Sequence, residues 1–484
     1  MEDQSHNVYS LDEALSAIGF GNFQGLVLAY AGLGWVAEAM EMMILSFIGR
    51  EVQVEWGLSS SEESLISTVV FAGMLVGAYS WGLVSDMYGR KKGFLGAAIL
   101  TGGAGLLSAF SPNYISLVVL RFLVGIGLGC GHVFTSWFLE FVPTPKRGRW
   151  MIIFSSFWTV GTIFEAALAW IVLPRFGWRW LLVLSSLPSF VLLIFNGVIP
   201  ESPRYLCMKS RTTEAYDILQ KGAHLNQQEL PSGMLVSHST SELNEEFASS
   251  EDAYLLSARR KTLASESRTS SVAVIFSPKL IRTTLLLWLL YFGNTFSYYG
   301  IILLTSELSG GKSDCSTTSL NLKNTKDASL YLDVFVTSLA ELPGLVLSAF
   351  IVDRVGRKFS MLIMFILGFI LLLPLVTRQN EVLTTLLLFG ARMFISATFI
   401  VACIYAPEVY PTNVRSTGVG ITTAIGRIGG MVCPLVAVGL AGGCNQTVAV
   451  VVFETMIVLS GLSVVLFPFE TQGKELADHV HASA

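Results

Sequence analysis

The sequence predicts an all-α membrane protein, with twelve transmembrane helices in two pseudo-symmetric six-helix bundles. Three observations predict it. Of 484 residues, 52% are hydrophobic and only 14% charged, with a mean hydropathy of +0.61, so most of the chain belongs in lipid. A charged motif, Asp86-Met87-Tyr88-Gly89-Arg90-Lys91, returns as Asp353-Arg354-Val355-Gly356-Arg357-Lys358, 353 − 86 = 267 residues on. A second, Glu140-x-x-Pro143-x-x-x-Arg147, returns as Glu408-x-x-Pro411-x-x-x-Arg415, at 408 − 140 = 268. Two unrelated motifs at nearly one offset, each between long apolar runs, imply a duplicated membrane unit, as in a two-halved transporter.

A bilayer core about 30 Å thick takes roughly 20 apolar residues at 1.5 Å each. By that length, helices are read near 25–48, 64–85, 93–110, 114–137, 150–173 and 180–199. The second set lies near 283–304, 328–352, 360–376, 383–404, 416–440 and 447–467. The chain divides into an N-terminus, 1–23, a first bundle, 24–199, a linker, 200–281, a second bundle, 282–467, and a C-terminus, 468–484.

Basic residues orient the bundles, because Lys and Arg concentrate in cytosolic loops. One side carries Arg90, Lys91, Lys92, Lys146, Arg147, Arg149, Arg354, Arg357, Lys358 and Arg415. The short loops of the other carry Arg50, Arg175, Arg179 and Arg378. Both termini and the linker therefore read as cytosolic, in the plasma membrane or alternatively the vacuolar membrane. The polar, acidic first 23 residues read as a cytosolic segment rather than a cleavable signal. Within the linker, Thr213 to His224 is amphipathic, and Ser237 to Ser271, rich in Ser and Glu, reads as disordered.

Composition also excludes classes. A net charge of −4 gives no reason to expect nucleic acid. No nucleophile–base set and no metal-spaced His/Cys cluster is visible, so an enzyme, a metal and a cofactor are not expected, and the protein reads as a monomer. Gly310-Gly311-Lys312-Ser313 lacks the first glycine and the strand of a phosphate loop. Cys130, Cys403 and Cys433 lie in apolar runs and read as packing residues. Cys315 and Cys444 fall on the outer side, where a bridge is one alternative. Asn445-Gln446-Thr447 is a glycosylation sequon on the same side, close to helix twelve.

Charges at membrane depth need a partner, a wet cavity or a function. Glu38 lies about 21 Å along helix one at 1.5 Å per residue, and Glu41 follows at i+3, with Trp35 before them. Two carboxylates at that spacing repel, which brings proton uptake near neutral pH within reach. Glu38 is the first candidate coupling residue and Glu41 the second; a carboxylate bonded to a neighbouring helix that never titrates is the alternative. Glu165, Glu341 and Arg427 reach similar depth, suggesting a polar substrate site between the halves. Arg427 cannot lose its proton, so it either meets a substrate carboxylate or makes a permanent bridge to an acid such as Glu341. Asn294, Tyr298 and Tyr299 on helix seven, with Phe292 and Trp158, are candidates for recognising a flat ring or quaternary ammonium, or else for packing. Asp86, Arg90, Glu140 and Arg147, with Asp353, Arg357, Glu408 and Arg415, sit at cytosolic helix ends and read as a gating latch.

Several signatures coincide with a known family. Gly82-x-x-x-Asp86-x-x-Gly89-Arg90-Lys91, Arg121-x-x-x-Gly125-x-Gly127, and Pro200-Glu201-Ser202-Pro203-Arg204, echoed by Phe469-Glu470-Thr471, resemble the major facilitator superfamily over about residues 24 to 470. Met87 departs from the usual basic residue, Ala349 replaces the equivalent of Gly82, and Ser396 and Thr398 replace Gly125 and Gly127. Ala37 to Ser46 resembles the synaptic-vesicle-protein-related branch; Trp35 to Ser46, Phe71 to Asp86 and Gly426 to Val438 resemble the plant organic cation/carnitine transporter-like group. The resemblance implies alternating access, a coupling role for Arg121, and small organic ions, nicotinate and trigonelline included, as substrates. The expected function is proton-coupled transport of a small organic ion, a pyridine carboxylate or else carnitine or an organic cation. A non-transporting vesicle or sensor protein that binds a small ligand is the alternative.

Overall fold

The structure is a computed structural model describing residues 8–143, 147–197, 199–209, 211–235, 275–278, 280–309, 326–410, 415–440, 445–468 and 470–471. Among the described residues, twelve helices are long and apolar enough to cross a membrane, six on each side of the linker. In order they run Asn22–Trp56, Ser60–Gly82, Arg90–Ala109, Tyr114–Leu139, Trp150–Phe176, Trp178–Phe195, Ile281–Leu308, Tyr331–Val352, Arg357–Val376, Glu381–Val409, Gly418–Ala437 and Gln446–Val465. They are called spans one to twelve below. Polar caps set where several begin: Ser59 accepts from the Glu62 amide, Asn113 from Ser116 and Asn380 from Leu383.

Span one extends to Trp56, eight residues past its expected end at 48, because the amphipathic run after Gly49 stays helical until Gly57 stops it at φ +66°. Three spans are broken at depth: the first at Ile44, the fourth at Gly129–Cys130 and the eighth at Ala340. Each break lies close to an intramembrane acid, Glu41, Glu38 or Glu341. Irregular backbone at this depth is tolerated where protein or a polar cavity covers it.

Spans two and four pack backbone to backbone, since a Cβ on Gly77 would overlap the carbonyl oxygen of Ile126. Between the halves, span two lies along span eleven and span eight along span five. Cross-half bonds gather at mid-membrane and toward the face opposite the termini. There Arg50 donates to the Ser306 carbonyl at 3.4 Å, Tyr331 to Glu51 at 2.6 Å and Thr68 to the Met431 carbonyl at 3.3 Å.

On the terminal face, residues 8–21, before span one, pack against the linker. Val8–Tyr9 pairs in parallel with Met234–Leu235, and the helix Leu11–Ile18 packs Leu15 and Ile18 against Tyr205, Leu206 and Leu219. Those partners belong to the linker helices Pro203–Met208 and Thr212–Leu225. Asn226 then ties this unit to span one, accepting from the Phe23 amide at 2.9 Å and donating to Gln24 at 2.7 Å. The Ser-rich stretch 237–271, the Gly310–Ser313 loop, Cys315 and Cys444 lie outside the described residues.

Candidate functional site

Among the intramembrane charges the structure forms two buried ion pairs and one open pair, and it leaves the buried carboxyls of Glu165 and Glu454 without a basic partner among the described residues. In the first half, Arg121 donates to Glu41 at 3.0 Å, with both side chains wholly buried, and to Ser108 at 3.2 Å. Glu165 lies in the same half, fully buried, holding Ser185 at 2.8 Å and acting electrostatically on Glu41. Neither Glu41, Glu165 nor Arg121 opens on the boundary between the halves in this conformation. Each turns into its own bundle, because i, i+3 spacing leaves Glu41 about 60° around the helix from Glu38, enough to face spans three, four and six.

In the second half, Glu341 accepts from Arg392 at 2.6 and 3.1 Å and from Tyr298 at 2.8 Å. Thr162 of span five adds a bond at 3.3 Å, and the Trp158 indole donates to the Tyr298 hydroxyl at 3.0 Å, so this network crosses between halves. The alternative of an Arg427–Glu341 bridge is thereby corrected. Glu341 begins a new helical segment after the break at Ala340, which turns its carboxylate onto span ten, where Arg392 stands.

Arg427 is left without a carboxylate in salt-bridge range among the described residues. Its guanidinium lies 4.0 Å from the Met74 sulfur of span two, within hydrogen-bonding reach of the Tyr299 hydroxyl and within electrostatic reach of Glu38. Glu38 is 6% exposed and has one carboxyl oxygen with no hydrogen-bond partner. Its other oxygen nests against the backbone of span four, since a Cβ on Gly131 would overlap it. The break just before Gly131 permits that approach.

Aromatic rings frame this open pair. Trp35 packs on Trp158 at 5.3 Å, Tyr298 on Tyr299 at 5.0 Å, and Phe71 on Tyr299 at 4.8 Å. Asn294 is fully buried and both of its amide atoms lack a partner. Cys403, expected to pack, is exposed, and its thiol lies near Tyr291 and Arg427, on the flank of the cleft. An exposed Asn445 opens span twelve on the face opposite the termini.

The latch motifs build the same device twice at the terminal face. Arg90 reaches Glu140 at 3.3 Å, and Glu201 accepts from the Arg90 and Lys91 amides at 2.9 and 3.3 Å. Arg357 reaches Glu408 at 3.1 Å, and Glu470 accepts from the Arg357 and Lys358 amides at 2.8 and 2.9 Å. A carboxylate on the first amides of a helix satisfies orphan donors and opposes the positive end of the dipole. Burial pushes the Glu140 carboxyl up, and Arg90 beside it pulls part of that back. The side chains of Asp86, Arg147, Asp353 and Arg415 lie outside the described residues. Replacing Glu470 with Gln leaves those amides one neutral acceptor in place of a charged one, a difference of about 1–2 kcal/mol. Hydrogen exchange at 357–360 is expected to quicken roughly tenfold; unchanged rates would mean that Glu470 does not hold the helix start.

The sequence reading assigned none of Arg392, Ser108, Thr162, Ser185, Glu201 and Glu470 to a site, though each bonds to one of the residues above. A signal existed for three. The alignment that sets Ser396 and Thr398 against Gly125 and Gly127 also sets Arg392 against Arg121, while Glu201 and Glu470 stand in the echoed post-bundle motifs. Ser108, Thr162 and Ser185 had none.

Comparison with known proteins agrees with this layout. The family described as "Sugar (and other) transporter" matches residues 35–480. The chain is 55% identical to "Organic cation/carnitine transporter 7" of Arabidopsis thaliana, across 98% of this chain and 97% of that protein. It is 37% identical to "Synaptic vesicle 2-related protein" of Xenopus laevis, across 98% and 83%. In fold it resembles the partially occluded inward open conformation of the xylose transporter XylE from E. coli, with a TM-score of 0.72, 18% identity, and coverage of 94% of this chain and 100% of that one. The chain therefore belongs to the sugar (and other) transporter family and has the major facilitator fold, a membrane transporter of two six-helix bundles.

Proposed function

We propose that this protein is a proton-coupled transporter of a small organic ion bearing a carboxylate beside a flat or cationic ring. Nicotinate and trigonelline fit that description, and carnitine and organic cations share part of it. One observation carries the reading: Arg427, an intramembrane guanidinium with no carboxylate in salt-bridge range among the described residues, lies beside Tyr299 and faces Glu38 across the boundary of the halves. Arg427 receives the substrate carboxylate, the rings of Trp35, Trp158, Tyr298 and Tyr299 surround its body, and Glu38 attracts positive charge. The relative named for organic cations and carnitine, 55% identical, supports the substrate class.

Coupling runs through the carboxylates of span one. Glu38, with its unpartnered oxygen, takes the proton, while Arg121 holds Glu41 and sets the resting charge of the first half. Cross-half contacts on the face opposite the termini fit a cleft open toward the terminal side. With both termini cytosolic in the plasma membrane, that is an inward-facing state, and rocking of the halves exposes the site to each side in turn. Arg90–Glu140–Glu201 and Arg357–Glu408–Glu470 gate the cytosolic side.

The test is competition by nicotinate, trigonelline, carnitine and tetraethylammonium against labelled nicotinate in proteoliposomes at two pH values. Inhibition by the two pyridine carboxylates, stronger at the acidic pH, is the expected result; binding without counterflow would make the protein a ligand sensor instead. In the same vesicles, Glu38→Gln is expected to abolish proton-driven accumulation and keep exchange within about threefold. Undiminished accumulation would remove Glu38 from coupling.

A further inference from the structure

The hydroxyl of Tyr298 is already committed. It donates its hydrogen to Glu341 at 2.8 Å and accepts from the Trp158 indole at 3.0 Å. A phenol has a single hydrogen to give, so none is left for a substrate. The ring stands at the boundary of the halves, edge-on to Tyr299 at 5.0 Å and parallel to Phe399 of span ten at 6.0 Å. What fixes that ring lies further back. Arg392 brings Nε and Nη2 to the same Glu341 oxygen that Tyr298 reaches, at 3.1 and 2.6 Å, while Thr162 holds the other oxygen at 3.3 Å. The guanidinium is itself fixed, donating to Ser338 at 3.2 Å and lying 3.8 Å from the Met43 sulfur of span one. A carboxyl gripped at both oxygens cannot turn without breaking several bonds at once.

We infer that Arg392 is a positioning residue for substrate recognition, acting through Glu341 to hold the Tyr298 ring, and that Tyr298 offers the substrate its ring and not a hydrogen bond. Arg392 is 1% exposed, too deep to meet a substrate itself, yet the chain Arg392–Glu341–Tyr298 ends on a ring of the proposed cage. The inference rests on the reading of the site given above and narrows it. The group received at Tyr298 is a flat ring or a quaternary ammonium, which an aromatic face attracts without a donor. Glu341, expected to touch the substrate, instead orients a residue that does.

Arg392→Lys keeps a positive charge beside Glu341 but loses the fork that grips one oxygen through two N–H groups. In proteoliposomes of the full chain, its KM for nicotinate is expected to rise about three- to tenfold, with kcat within about twofold. A merely structural loss lowers the number of working carriers, and with it the maximal rate, but leaves KM alone. Tyr298→Phe keeps the ring and cuts it from Glu341, so it is expected to raise KM by a similar factor. The two together should go no further, because two cuts in one chain do not add. Should Arg392→Lys not fold, Glu341→Gln takes its place in the same cycle, leaving Tyr298 a neutral and weaker acceptor. Rises in KM that multiply in the double variant, or a fall in kcat at constant KM, would overturn the positioning role. Carnitine and its analogue without the hydroxyl are expected to inhibit in the same ratio in wild type and Tyr298→Phe. A ratio that changes more than about threefold would mean that the Tyr298 hydroxyl meets the substrate. Ultraviolet resonance Raman spectroscopy reads the Tyr298 hydroxyl with no substrate present, its band assigned by difference against Tyr298→Phe. The band is expected to show a donor in wild type and to shift in Arg392→Lys or Glu341→Gln; an unshifted band would overturn the tether. A shifted band with no counterflow of nicotinate would instead fault the transport reading and leave the tether standing, so the two failures are told apart.

Discussion

Replacing Arg392 with methionine is expected to destabilise the protein by about 3–5 kcal/mol, the usual result of stripping one partner from a buried ion pair. Arg392 is 1% exposed and holds Glu341 at two distances, with Ser338 at 3.2 Å and the Met43 sulfur of span one at 3.8 Å. Without it, Glu341 keeps only two hydroxyl donors, Tyr298 and Thr162, for a charge that lies in a low-dielectric interior. Methionine replaces the stem but none of the five N–H donors. Pairing it with Glu341→Leu removes the stranded carboxylate as well, and swapping a buried pair for apolar residues of similar volume is often neutral. The double variant is therefore expected to recover most of the loss. Thermal and denaturant unfolding in detergent check this, and a double variant no more stable than the single one would sink the account. Because Thr162 and Trp158 join this network from the other half, the single variant also loosens the boundary between the halves.

The second large effect falls on selectivity. Arg427→Lys keeps the positive charge beside Glu38 but removes the planar fork that meets a carboxylate through two parallel bonds. A charge-assisted hydrogen bond is worth roughly 1.5–3 kcal/mol, so nicotinate uptake is expected to weaken about 10- to 100-fold. Tetraethylammonium, which offers no carboxylate, should change less than about threefold. Uptake of both by wild type and variant, at one pH, checks it. Equal losses for the two would make Arg427 a structural residue, and the proposal for the substrate carboxylate would fall with it.

Much of this was legible in the chain, and what was not has a physical cause. The duplicated motifs and apolar run lengths announced twelve spans in two halves. The same duplication could have yielded more: Arg392 stands opposite Arg121, and Glu470 opposite Glu201, at offsets already in use. Partner choice was not legible. Glu341 could have met Arg427 or Arg392 on spacing alone, and only the break at Ala340, with the span packing around it, selects Arg392. Likewise Glu38 and Glu41 look equivalent along the helix, yet one turns to the boundary and Arg427, the other to Arg121. Cys403 sits in an apolar run like Cys130 and Cys433, but hydropathy does not say which wall of a bundle faces a cleft.

The chain by itself determined that it lies in a membrane, crosses it twelve times and repeats one six-helix plan, because bilayer thickness and the desolvation of charge act on run length and composition. The tertiary structure alone decided which charges neutralise each other and which are left without such a partner among the described residues. Those pairings hang on helix rotation, local breaks and contacts between residues hundreds of positions apart, and no periodicity along one helix encodes the phase of its neighbour.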